Sequence, residues 1–192
     1  MKQKSSQSLL IVISAPSGAG KTTVCKLLAE RNSGLKLSVS ATTRPPRKNE
    51  QNGVEYFFLT KKEFFKKIED NHFIEYEEVH GNYYGTLKSV VQDLINNGFS
   101  VLLDIDVNGA VNIKKHFPQA ILFFLRPPSE EELMRRLINR RTDSEAEIQK
   151  RLKRLPQEYE KAPQFDYDII NDDLYKTIEE IEKIISKYKD NI

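Results

Sequence analysis

The sequence predicts an α/β fold: one parallel sheet in a three-layer core, with helices on both faces. Three observations predict it. Short, continuously apolar runs recur along the 192 residues, helical segments separate them, and a glycine-rich turn joins the first run to the first helix. A strand buried on both faces has no polar side to show, so an unbroken apolar run is its expected signature. Strands alternating with helices then pair in parallel.

The first run is Leu9–Ser14 (LLIVIS), followed by the turn Ala15–Gly20 and a helix from about Lys21 to Arg31. Val101–Ile105, Ala120–Leu125 and Tyr167–Ile170 supply three more strands, and Leu37–Val39 a short fifth. Helices are expected over Val107–His116 and Leu174–Tyr188. Residues 1–8 are polar and read as a loose tail.

Two stretches break this rhythm and read as insertions, leaving 9–41, 91–125 and 161–192 as the core. Residues 42–90 are rich in Tyr, Phe and Glu in short alternating runs, with one helix opened by the capping box Thr60-x-x-Glu63. Residues 126–160 begin at Pro127-Pro128 and carry two helices, opened by the boxes Ser129-x-x-Glu132 and Ser144-x-x-Glu147. An arginine-dense polar segment, Asn139–Ser144, joins those helices. A core with two flaps suits an enzyme that closes over two substrates.

Composition excludes several classes. The formal net charge is only +2, against the strong basic excess of a nonspecific nucleic-acid binder. No apolar run reaches membrane-spanning length, and Leu9–Ile13 is too short for a signal peptide's core. The single cysteine, Cys25, precludes an internal disulfide and reads as a buried helix residue. The expectation is a cytoplasmic protein with no nucleic-acid, membrane or obligate protein partner. His72, His80 and His116 match no metal or triad spacing and read as structural or surface residues.

Residues 15–22 read APSGAGKT and fit the phosphate-loop pattern G-x-x-x-x-G-K-[ST] except at Ala15. Gly18 and Gly20 allow backbone conformations that aim several N–H groups into one concavity. Lys21 brings a charge to the outer phosphates, Thr22 offers a hydroxyl to Mg²⁺, and the helix points its positive end at the anion. Ser17, Gly18, Ala19, Gly20, Lys21, Thr22 and Thr23 form the expected phosphate contacts of a P-loop core, with Thr22 as the one protein ligand to the metal.

Four further segments narrow the reading: SVSATTRPPR (38–47), GNYYGT (81–86), VLLDIDVNG (101–109) and INDDL (170–174). With APSGAGKT, they resemble the guanylate kinase family in order and spacing, from about Leu9 to the last helix. The resemblance implies ATP-dependent phosphorylation of GMP, with dGMP as a further acceptor, by direct transfer with Mg²⁺. It makes 42–90 a GMP-binding module and 126–160 a lid.

The residues suit that implication. Arginine's planar fork matches a phosphate dianion, and two prolines stiffen the segment holding Arg44 and Arg47. By resemblance these two, with Tyr56 and Tyr84, grip the GMP phosphate. Glu75 takes the base-reading position, where one carboxylate can accept from both guanine N1–H and the 2-amino group; adenine offers neither. Ser40 and Thr86 complete base recognition by resemblance. Glu77 and Glu78 are neighbours that sequence alone does not separate from Glu75. Asp104 and Asp106 end the strand VLLDID on one face; one carboxylate would organise Mg²⁺ water and the other the acceptor, with Asp106 also suited to cap the helix at Val107.

In the second flap, Arg136 and Arg140 stand on one helical face and repel each other unless an anion intervenes. The resemblance assigns Arg136, Arg140 and Arg151 to the ATP phosphates and leaves out Arg135 and Arg141, the latter standing where the family commonly has glycine. Lys21, Arg44, Arg136, Arg140 and Arg151 are the expected catalytic charges. Two rival readings remain: a P-loop kinase with another small acceptor, for which Glu75 has no purpose, and a noncatalytic interaction module, which would be expected to have an eroded phosphate loop.

Overall fold

The computed structural model describes residues 8–79, 81–139 and 145–190. Its first sheet has five parallel strands in the order β2-β7-β1-β8-β9: β1 (Leu10–Ser14), β2 (Leu35–Leu37), β7 (Ser100–Asp104), β8 (Ile121–Arg126) and β9 (Tyr167–Ile170). The second sheet joins β3 (Ser40–Thr42), β4 (Tyr56–Phe58), β5 (Phe73–Val79) and β6 (Asn82–Leu87) in the order β4-β3-β6-β5.

Helices cover both faces of the first sheet, as the apolar strands require. On one side Ile11, Ile13, Leu102, Phe123 and Leu125 pack with α1 (Lys21–Arg31), α5 (Glu130–Asn139) and α8 (Leu174–Asp190). On the other, Val12, Val101, Leu103 and Leu122 meet α3 (Lys88–Asn96) and α4 (Val107–His116). Cys25 is buried in the first of these clusters, as expected. The second sheet has its own small core, in which Phe64 of α2 (Lys61–Glu69) stacks on Phe73 at 4.5 Å. The box that opens α2 is complete, with Thr60 and Glu63 bonded reciprocally. Among the described residues, no helix is long and apolar enough to cross a membrane.

Several boundaries differ from expectation for local reasons. The edge strand is Leu35–Leu37 rather than Leu37–Val39; after one further bond, Ser38 N–H to Leu102 O at 2.9 Å, the chain leaves to enter the second sheet at Ser40. Ala120 is spent on a turn, its N–H bonded to Phe117 O, so β8 starts at Ile121 and runs on to Arg126 opposite Ile170. The strand expected to carry both aspartates stops at Asp104, and Asp106 instead caps α4, accepting from Asn108 N and Gly109 N at 2.7 and 3.0 Å. Between residues 126 and 160 the described residues form three helices, not two: α5, α6 (Glu145–Leu152) and α7 (Leu155–Tyr159). Ser129 accepts from Glu132 N at 3.2 Å, but the Glu132 carboxylate turns to Arg135 and Arg136 instead of closing the box. The box at Ser144 and Glu147 lies outside the described residues, as do His80, Arg140 and Arg141.

Parallel strands end along one edge. The loop after β1, Asp104 at the end of β7, Arg126 at the end of β8 and Asn171 just past β9 therefore come together there, with Ile13 in register with Asp104.

Candidate active site

The loop after β1 is held open by its glycines. Gly18 and Gly20 have φ of +99° and +91°, which side chains other than glycine rarely adopt. Space forbids replacement too: a Cβ on Gly18 would lie 2.8 Å from Leu137 of α5, and one on Gly20 2.7 Å from the Asn171 amide. Unlike α2 and α4, α1 has no side chain capping its N-terminus, and unlike α2 it has no acid in its first turn. Its first N–H groups are left for an anion.

Lys21 and Thr22 converge on β7. The ammonium donates to Ile105 O at 2.6 Å and pairs with Asp104 Oδ1 at 2.9 Å, while Thr22 Oγ1 donates to Asp104 Oδ2 at 2.9 Å. Burial alone would lower the Lys21 pKa; the Asp104 carboxylate, with Asp106 behind it, carries it up to about 12. The ammonium therefore stays charged at any working pH.

Two of the expected lid arginines reach this loop. Arg136 donates to Glu132 Oε1 at 2.8 Å and to the carbonyl of Asn171 at 3.1 Å, with Ala19 O at 3.5 Å. Arg151 bonds the hydroxyl of Ser17. Ala15, Ser17, Gly18, Gly20, Lys21 and Thr22 line the cleft, whereas Ala19 is buried beneath it and Thr23 is exposed outside it.

Across the cleft, the second sheet presents Ser40, Arg47, Tyr56, Glu75 and Tyr84. Glu75 is only 7% exposed, and its Oε1 accepts from Thr86 Oγ1 at 2.6 Å. Burial raises its pKa to about 7, against the Thr86 bond and with help from the Asp106 and Glu77 charges. Tyr56 and Tyr84 meet edge to face at 6.0 Å, and burial pushes the Tyr56 phenol up to about 12. Arg44 lies over Tyr56 and Phe58 at 5.5 and 5.9 Å, a cation–π arrangement. Asp104 and Asp106 line the cleft between the two groups.

Five contributors escaped the sequence reading. Glu50 accepts from both terminal nitrogens of Arg44 at 2.8 and 2.9 Å. Gly109 backs Glu75: a Cβ there would sit 2.5 Å from Glu75 Oε2. Asn171, inside INDDL, donates to Ala19 O at 2.7 Å and is 5% exposed. Arg154 and Glu158 line the cleft, and burial raises the Glu158 carboxyl to about 7 against the Arg154 charge. Asn171 and Gly109 each had a signal in the sequence, the motifs INDDL and VLLDIDVNG that contain them.

Chemistry rather than volume marks this cleft, at about 230 Å³, as the site. A groove of about 610 Å³ beside α3 is roomier but is lined largely by Phe73, Ile74, Val91, Ile95 and Phe117. Among the described residues, no group of three or more His, Cys, Asp or Glu is placed to hold a metal ion.

The geometry is that of a phosphate loop facing a buried carboxylate across a cleft lined by charges of both signs, and its likenesses agree. The guanylate kinase family model matches residues 7–188. A guanylate kinase of Fusobacterium nucleatum is 51% identical over 176 residues, 92% of this chain and 95% of that protein. One from Chlorobaculum tepidum is 49% identical, over 95% of this chain and 94% of its own. The crystal structure of guanylate kinase from Anaplasma phagocytophilum, 31% identical, superposes with a TM-score of 0.78 over 96% of this chain and 87% of that one. Matched almost end to end by model, sequence and structure, this chain belongs to the guanylate kinase family.

Proposed function

We propose that the protein transfers the γ-phosphoryl group of ATP directly to GMP, and to dGMP, giving ADP and GDP or dGDP. The observation that carries this reading is the buried Glu75–Thr86 pair opening onto the same cleft as Lys21. A carboxylate there matches the paired donors of guanine, and adenine leaves it unpaired, a mismatch worth roughly 10⁴ in discrimination. The acceptor phosphate is already anionic, so no strong general base is needed. Catalysis reduces to positioning and charge stabilisation by Lys21, Arg44, Arg136, Arg140 and Arg151.

Arg47, Tyr56 and Tyr84 join Arg44 on the acceptor phosphate, and Ser40 joins Glu75 and Thr86 on the base. Thr22 and Asp104 present hard oxygen ligands 2.9 Å apart, a donor set that fits Mg²⁺ once nucleotide phosphates complete its shell. Bound there, the ion would neutralise charge building on the transferred group. Asp106 is committed to the α4 cap and faces the acceptor side. Residues 42–90 act as the acceptor module and 126–160 as a lid that excludes water. The balanced charge and lone buried thiol accord with a cytoplasmic enzyme working without nucleic acid, membrane or obligate protein partner.

A coupled ADP-release assay with ATP, Mg²⁺ and GMP, dGMP, AMP, CMP or UMP tests this, with Lys21→Ala as background. Turnover with GMP and little with AMP is expected. Preference for another monophosphate would sink the guanine assignment, and transfer to none would sink the enzyme reading.

A further inference from the structure

Arg44 cannot offer all of its donors to a substrate. Nη1 donates to Pro45 O at 2.8 Å and to Glu50 Oε2 at 2.9 Å, and Nη2 donates to Glu50 Oε1 at 2.8 Å. A guanidinium has five N–H bonds. The donors that Pro45 and Glu50 do not use are the Nε–H and the second Nη2–H, which lie side by side on one edge; Tyr84, which also bonds this guanidinium, borders that edge, and together they suit a phosphate group. Glu50 Oε2 also accepts from Arg47 N at 2.7 Å, and Glu50 N–H returns to Arg47 O at 3.0 Å. One carboxylate thus fixes the side chain of the first arginine and the backbone of the second.

From this geometry we infer that Glu50 is a positioning residue for the acceptor phosphate, locking Arg44 so that its Nε/Nη2 edge faces the nucleotide. The inference rests on the acceptor-site reading above. Glu50 stays ionised for the purpose: burial works against its charge, but the Arg44 bonds and the Arg47 N–H hold its carboxyl below the usual carboxylate range. The Arg44 guanidinium lies against the Tyr56 and Phe58 rings, at 5.5 and 5.9 Å, while Glu50 holds its two terminal nitrogens.

Two physical effects make opposite predictions. Counted as charge alone, Glu50 repels a phosphate dianion, and its removal should tighten GMP binding. As a positioning group, its removal frees the Arg44 rotamers and loosens the Arg47 turn, so binding should weaken. Bidentate charge-assisted bonds are the strong class, so positioning should win.

The test compares GMP and guanosine affinity, by calorimetry and NMR titration, for the wild type, Glu50→Gln, Glu50→Ala and Arg44→Ala. Glu50→Gln keeps the side-chain shape, and unchanged ATP affinity verifies folding of each variant. The expected result is GMP binding weaker by about tenfold in Glu50→Gln and more in Glu50→Ala, with guanosine affinity within twofold. In turnover, the KM for GMP rises more than kcat falls, and the KM for ATP stays. GMP bound as tightly as before, or tighter, would overturn the inference, as would a parallel loss for guanosine. If Arg44→Ala leaves GMP affinity unchanged, the acceptor-site reading itself fails, an outcome separate from a failure of Glu50 alone.

Discussion

Replacing Gly109 with alanine should separate function from folding. A Cβ on Gly109 would lie 2.5 Å from Glu75 Oε2 and 3.2 Å from its carboxyl carbon. Carbon–oxygen contacts settle at about 3.3 Å or beyond, so the carboxylate must move by on the order of 1 Å. The end of a free side chain would yield easily, but Glu75 is pinned by the 2.6 Å bond from Thr86 and closed in by the protein. Yielding therefore breaks that bond or turns the carboxylate away from the base. Displacement of this size costs about hundredfold where a group must meet its substrate in one geometry. Gly109 is also the third residue of α4, where alanine gains about 1 kcal/mol of helix propensity, offsetting much of the steric cost. The expected outcome is kcat/KM for GMP down by about hundredfold, KM for ATP unchanged, and Tm within a few degrees of wild type. A GMP kcat/KM within threefold of wild type would refute the role given to this wall.

Two other perturbations probe the donor side and the buried charge. Asn171→Ala removes the 2.7 Å bond to Ala19 O beneath the phosphate loop; it should cost about 1–3 kcal/mol of stability and raise the KM for ATP more than that for GMP, as thermal melts and initial rates would show. Because folding raises the Glu75 pKa from 4.5 to about 7, the folded state binds the extra proton, and stability is lost as pH climbs through that window. Glu75→Gln removes this penalty, so its stability advantage over wild type should grow between pH 5 and pH 8, toward on the order of 3 kcal/mol, and its Tm lead with it; an equal gap at both pH values would count against a buried ionising carboxylate.

The parallel core was legible because strands buried on both faces write continuous apolar runs. The second sheet was legible only as short alternating runs within 42–90, since Ser40–Thr42 and Tyr56–Phe58 are three residues each and the latter is half-buried throughout, too short to read as separate strands. The helix Lys88–Asn96 went unnamed for a similar reason: Leu87 precedes it with no capping side chain, and β6 runs straight into it. In the site, the phosphate loop was legible because the residues that define it, 15–22, are contiguous in the chain. Asn171 reaches Ala19 across 152 residues, and Gly109 meets Glu75 only because α4 packs on β5, so the motif around each residue does not show what it touches. Glu50 is near Arg44 in sequence, but a glutamate three residues after Arg47 is also what any solvated turn contains.

The contacts that hold the site's cations share one physical purpose. Lys21 is held by Asp104 and Ile105 O, Arg44 by Glu50 and Pro45 O, and Arg136 by Glu132 and Asn171 O. A partly buried cation without partners would be costly and mobile; each of these is paired before any nucleotide arrives. Pairing does not exhaust them. The Lys21 ammonium has three donors and a guanidinium five, so each keeps at least one N–H beyond its bonds to the protein. An incoming phosphate then completes a shell instead of displacing a partner, and little reorganisation remains for the reaction itself. On this view the holding groups matter as much as the charges they hold. Losses at Glu50, Gly109 and Asn171 should therefore rival those at residues touching substrate, although none of the three is expected to meet the reacting atoms.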